Sequence, residues 1–431
     1  MPSSRALVRA GATTAAVLLA AIPFGSAGLA EEDPGPKAST SLASARSGHT
    51  ATLLGDGRVL VAGGSDGVTE LASIEVVDPI EGTVGRLGVM SAPRAGHSAT
   101  LLADGQVLVA GGRVGGTSLA SAELIDGLTG ESTAVGGLRW ARADHDAAAL
   151  SDGRVMLVGG VDGSGHVSRA EVFDPGTGTF TKVARPKAKH LGAAASVLRD
   201  GRVLVTGDVT GRKAKAAERF DPRKGTWVAL KGASKRSDHT STRLADGRVL
   251  LAGGSDGEAP IAGAEIFDPD RARFSSAGVL ATPRSRHTAT RLADGRVAVM
   301  GGSDGQYELA SVELFDPATG EFADGVIVGL PRVGHTATAL ADGRVVVVGG
   351  AVAGVALDEV LIYDPGSASV TTLDGAPVLA TSQPPEAGDA RTRDEVRAQH
   401  GPPDAFAIHY YDEVAPDGSV TATTVEQWTY Y

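Results

Sequence analysis

The chain has 431 residues, 42% of them hydrophobic, a formal net charge of −11 and no cysteine. That apolar content supplies a core for one large domain or two to three ordinary ones. Disulfides, thiolate catalysis, cysteine-ligated zinc and a lipidated N-terminal cysteine are excluded, and the negative charge argues against nucleic-acid binding.

Glycine is abundant at 59 residues and aromatics are scarce at 4%. With β-branched residues and leucine still plentiful, this indicates many turns and small-residue packing rather than disorder. The chain holds no asparagine, so it has no N-glycosylation sequon.

At the N-terminus, Arg5 and Arg9 precede an apolar run from Ala10 to Phe24, followed by small residues including Gly28 and Ala30. A basic region, a short apolar region and small residues at −3 and −1 make a secretory signal over 1–30, cleaved after Ala27 or Ala30. The run is shorter than the ~20 residues a span needs. The expectation is therefore an exported protein, periplasmic, cell-surface or extracellular, without a transmembrane segment in the mature chain. Residues 31–45 read as a linker.

From residue 46 the chain repeats. An Asp-Gly turn recurs at Asp56, Asp104, Asp152, Asp200, Asp246, Asp294 and Asp342, at intervals of 48, 48, 48, 46, 48 and 48 residues. Periods of 40–50 residues point to propellers. In the sixth copy, 287–292 reads as strand A, Asp294-Gly295 as a two-residue hairpin turn and 296–300 as strand B. Strand C follows over 310–316 and strand D over 321–327, separated by a Pro-Ala-Thr-Gly turn. One such sheet buries too little alone, whereas sheets stacked around an axis cover each other's faces. The reading is an all-β, seven-bladed propeller over 46–376.

The double glycine after strand B, an aromatic-Asp pair in strand C (172–175, 266–269, 362–365) and a Gly-Thr-aromatic turn (178–180, 225–227) resemble Kelch repeats. The resemblance implies the propeller fold and is poor for function, because one fold hosts many functions. Galactose-oxidase-type enzymes also use Kelch blades, but their radical copper site requires a Cys–Tyr crosslink, and this chain has no cysteine.

Residues that recur in every blade most simply serve the blade. His49, His97, His145, His239, His287 and His335 each follow an arginine by three. Strand A lines a propeller's channel, so these imidazoles raise the idea of a metal- or proton-handling ring, weighed against a structural hydrogen bond in each blade. Glu75, Glu123, Glu171, Glu218, Glu265 and Glu313 open an E-x-x-D pattern in strand C, and Leu361 stands in the seventh copy. A buried carboxylate needs a partner, and the arginine after each Asp-Gly turn is expected to meet the strand C aspartate, as Arg58 with Asp78. The serines of "GGSDG" (Ser65, Ser255, Ser303) fit G-x-S-x-G, but a nucleophile elbow needs a following helix, and another strand follows here. Lone aspartates in these loops lack the ligand count for calcium. No catalytic residue, metal ligand or cofactor site stands out.

The fourth copy breaks the rule. It has Gly207-Asp208 for the glycine pair and Ala193 for the histidine. Eight of the nine lysines fall between Lys182 and Lys235. Residues 182–236 carry 15 Lys+Arg and 4 Asp+Glu, a net of +11, so the remainder is 25 against 47, or −22. Loops D–A and B–C project from one propeller face. Arg185, Lys187 and Lys189 sit in the D–A loop entering blade four, Arg212, Lys213 and Lys215 in its B–C loop, and Lys235 and Arg236 in the next D–A loop. Together they are candidate ligands for an anionic partner: an acidic envelope protein, an acidic polysaccharide or lipopolysaccharide.

After a Pro/Gly linker (377–391), residues 392–431 read as a small α+β tail. A helix capped by Thr392 and Glu395 ends at Gly401-Pro402. A hairpin of 405–413 and 420–431 follows. Thr392, Glu395, Val396, Gly401, Pro403, Trp428 and Tyr430 match a pattern that resembles small outer-membrane lipoproteins of the SmpA/OmlA type. The functional expectation is a binding or scaffold protein of the cell envelope; the alternative is a polysaccharide hydrolase or lyase with its site at the channel mouth.

Overall fold

Short apolar runs alternating with Asp-Gly turns fold into the same hairpin seven times. The structure, a computed structural model, describes residues 39–190, 192–207 and 217–378, and the backbone of two strands at 407–414 and 420–428. Each repeat forms a four-stranded antiparallel sheet in sequence order. In blade one these strands are Thr50–Leu53, Val59–Ala62, Ser73–Asp78 and Thr83–Val89. The second strand is buried along its length in six blades, and from Val107 onward in blade two, because both its faces are covered. In the sixth copy the strands are Thr288–Arg291, Val297–Met300, Ser311–Asp316 and Glu321–Ile327, within one residue of the expected starts.

The Asp-Gly hairpin is one residue longer than expected. Leu54 N–H donates to Arg58 O, Gly57 N–H donates to Leu54 O, and Gly57 holds φ at 90°. That is a three-residue loop ending in a left-handed glycine, a geometry in which only the last position requires φ > 0.

Apolar side chains pack between blades. Val59, Val61 and Val77 of blade one meet Val346, Val348 and Ile362 of blade seven, and a like cluster fills each remaining junction around the ring. The ring closes without strand exchange, since each blade is one continuous stretch of chain. Closure reuses the ordinary contact between neighbours. Arg94 N–H donates to Leu71 O where blade two meets blade one, and Arg46 N–H donates to Leu357 O where blade one meets blade seven. Residues 39–45, read above as linker, belong to this junction: Leu42 is buried, its N–H donates to Asp358 O, and Ser39 bridges Val84.

The glycine pair exists for this junction. In blade six a Cβ on Gly301 would lie 2.7 Å from the His335 ring and 2.8 Å from Arg332 O. One on Gly302, where φ is 91°, would lie 2.6 Å from Ser285 O. The substitution Gly302→Ala combines this clash with left-handed strain, so we expect a loss of about 2–4 kcal/mol and a Tm lowered by several degrees in a thermal melt. An unchanged Tm refutes the crowding.

Among the described residues there is no helix, and none therefore long enough to cross a membrane. The strands Ala407–Val414 and Val420–Trp428 pair antiparallel. The expected helix, and the residues at 392–403 that carry the lipoprotein resemblance, lie outside the described residues.

Candidate functional site

The repeated arginine and glutamate form one clamp. In blade six the Arg284 guanidinium is buried and donates to the carbonyls of Gly301 (3.2 Å) and Ser311 (3.1 Å) and to Glu313 Oε1 (2.6 Å). Glu313 Oε2 accepts the Ala281 N–H at 2.7 Å. One pair thus ties the entering loop, the glycine pair and the third strand together. Arg46–Glu75, Arg94–Glu123, Arg142–Glu171 and Arg236–Glu265 repeat it. In blade seven, where Leu361 replaces the glutamate, Arg332 reaches Glu359 at 2.7 Å instead. The arginine after the Asp-Gly turn does not meet the strand C aspartate. Arg58 pairs with Asp56 of its own turn and donates to Gly127 O of the next blade, while Asp78 accepts the amides of Ile80 and Glu81. A carboxylate two residues away, with turn amides waiting beyond, satisfies both groups locally.

The histidines link neighbouring blades. His97 Nε2 lies 2.9 Å from Thr50 Oγ1, His287 Nε2 3.1 Å from Thr240 Oγ1 and His335 Nε2 3.0 Å from Thr288 Oγ1. Burial first, and then the arginine three residues earlier, push the pKa of His97, His287 and His335 down to about 3. His49, His145 and His239 are driven well below the ordinary value by the same two causes. These are neutral structural rings. Among the described residues no three His, Asp or Glu stand together as a metal site. The "GGSDG" serines shape turns: Ser303 Oγ accepts the Gly305 N–H at 3.1 Å, and Asp304 accepts the amides of Gln306 and Tyr307.

Blade four departs from all of this. His190 occupies the arginine position. Its Nδ1 lies 3.2 Å from Gly207 O and its Nε2 3.2 Å from Glu218 Oε2, the two acceptors the guanidinium serves elsewhere. With Ala193 in the histidine position, blade three carries Asp146 in place of the linking Thr or Ser. Asp146 accepts the amides of Ala195 (2.6 Å) and Ala147 (2.7 Å), and burial raises its pKa to about 6 against those bonds. Ala194 offers no hydroxyl to His239, and Thr206 supplies one at 2.7 Å.

The candidate cations divide. Arg185, Lys187 and Lys189 are exposed in the loop entering blade four. Lys235 is half-buried. Arg236 is a correction: it is the blade-five clamp, 2% exposed and bound to Glu265 at 2.9 Å, and its charge is spent inside the fold. Arg212, Lys213 and Lys215 lie outside the described residues. Two exposed cations of blade three lie outside the basic stretch that begins at residue 182, so the charge excess in the sequence does not signal them. Arg139 sits in the loop entering that blade. Arg169 sits in its B–C loop, with its guanidinium carbon 5.2 Å from the Trp140 ring centroid. Among the described residues no carboxylate forms an ion pair with Arg139, Arg169, Arg185 or Lys187.

The Kelch motif family matches residues 147–187, from the first strand of blade three into the loop entering blade four. Among solved structures, a novel fungal alcohol oxidase of the AA5 family, in complex with copper, is similar at 22% identity and a TM-score of 0.60, covering 72% of this chain and 70% of its own. That likeness shows the fold alone. A comparison with the curated proteins found no match. Seven closed blades, with the motif match in the third and the loop that leaves it, make the fold a seven-bladed β-propeller of Kelch-type repeats.

Proposed function

We propose that the protein is an exported recognition scaffold whose loop face over blades three and four docks an anionic partner at the cell envelope. The observation that carries this reading is the set of exposed cations there, Arg139, Arg169, Arg185 and Lys187, on a chain whose remainder is strongly acidic. Several cations in one sector hold a polyanion, and the surrounding negative charge steers it to them. The secretory pattern of residues 1–30 supports export. A propeller face made of many loops suits an acidic envelope protein best, with an acidic polysaccharide or lipopolysaccharide as the other partners of the same chemistry. The hydrolase or lyase reading draws no support, since the recurring glutamates are committed to buried arginines.

Retention on heparin, used as a polyanion probe, is expected to fall steeply with salt. The double substitution R185E/K187E is expected to weaken it about tenfold with an unchanged Tm. Equal retention of the variant would remove the basic sector from the function.

A further inference from the structure

We propose that His190 and Glu218 form a proton-operated clamp that sets the order of the loop entering blade four. Every other blade fastens this loop with a guanidinium, which stays charged at all ordinary pH. Blade four alone uses an imidazole, the side chain that titrates near neutrality.

The geometry requires a proton. Gly207 O can only accept, and an ionised Glu218 can only accept, so both ring nitrogens must donate to make both 3.2 Å bonds. A neutral ring donates once. Losing the proton therefore breaks one bond and removes the positive charge of the ring from beside a buried carboxylate. Glu218 is poorly placed to bear this: Oε2 also accepts the Ala188 N–H at 2.8 Å, but Oε1 is buried with no partner. If the proton resides on Glu218 instead, the pair still holds the same single proton. His190 itself sits at φ 51°, a left-handed conformation that its two ring contacts help to hold.

Among the described residues the charged groups near the ring are few. Glu218 faces it from the third strand and Lys189 adjoins it in the chain. On the neighbouring blades Asp146 is bonded to Ala195, and Asp238 Oδ1 lies 3.0 Å from the Cβ position of Gly192, both beside the residues that follow His190 in the chain. The outer strand contributes Trp227, neutral, with its ring centroid 6.0 Å from that of His190. Loss of that proton breaks one of the two ring bonds and loosens the segment that presents Arg185 and Lys187. That consequence for docking rests on the function proposed above; the clamp does not.

Hydrogen exchange reads the clamp without any partner. Between about pH 6.5 and about pH 8.5, where the buried rings leave the fold at full stability, and corrected for intrinsic chemistry, protection of the 183–190 segment is expected to drop about tenfold in the native protein. The equivalent blade-two segment, 87–94, is expected to stay constant. H190R restores the guanidinium and flattens the dependence. E218Q flattens it independently, since a neutral amide oxygen accepts from Ala188 and from the Nε2–H of a neutral His190 and no longer holds a second proton on the ring. A pH-independent native segment, or a drop equal in native and both variants, overturns the clamp. Heparin retention lost at every pH with an intact exchange profile would instead sink the docking surface and spare the clamp.

Discussion

Acidification from pH 7 towards pH 4.5 is expected to unfold the propeller in one steep transition that takes up close to six protons. The protons go to His49, His97, His145, His239, His287 and His335, each buried and neutral in the fold. The sign follows from linkage. The folded pKa, about 3 for His97, His287 and His335, lies below the ordinary value of 6.5. The unfolded chain therefore binds protons that the fold refuses. Stability from these rings is complete above about pH 6.5 and is lost as pH falls. Each ring contributes a slope of about 1.4 kcal/mol per pH unit, so six give roughly 8. A domain holding about 5–15 kcal/mol cannot absorb two units of that slope. Asp146 acts oppositely. Its folded pKa is raised to about 6, so its contribution is complete below about pH 3.8 and lost as pH rises through 6. One group against six leaves the acid limb dominant. Urea titrations across the pH series check the slope, and H287Q should lower it by about one proton. A flat stability between pH 7 and pH 5 would show that the rings are not held neutral.

The propeller was legible because its physics is periodic. An Asp-Gly turn every 48 residues, with an apolar run after it, dictates a sheet that must find a copy of itself to bury its faces. The clamp was legible only in part. Arg284 and Glu313 stand 29 residues apart, as do Arg46 and Glu75, and that constant offset was the available signal. In sequence that signal competes with Arg58, which stands next to its turn as a nearer partner for a strand C carboxylate. Blade four shows the same limit. The loss of histidine at Ala193 is visible in sequence, and so is the arginine position taken by His190. That the imidazole spans the acceptors of a guanidinium depends on where Gly207 and Glu218 arrive in space. A charged residue in a loop looks exposed in sequence, whereas the buried place of Arg236 is fixed by the clamp it completes.

The clamp carries the second large effect, and blade seven supplies its control. R284M is expected to cost about 3–5 kcal/mol, because the cation leaves Glu313 ionised and buried at 3% exposure. R332M removes the same arginine from the same place in the next blade. Its carboxylate, Glu359, is 28% exposed and turns to water when released. Leu361 occupies the usual glutamate position there, so no charge is stranded. The expected cost of R332M is about 1–2 kcal/mol, mainly from the Gly349 carbonyl that loses its 3.0 Å donor. Denaturant unfolding at pH 7 measures both, with equal m-values as the condition for comparison. If the two substitutions cost the same, the stranded carboxylate is not the source of the loss, and the clamp would matter for its carbonyl bonds alone. A large gap with R284M partly rescued by R284M/E313L would place the energy in the desolvated charge, where the burial of this pair puts it.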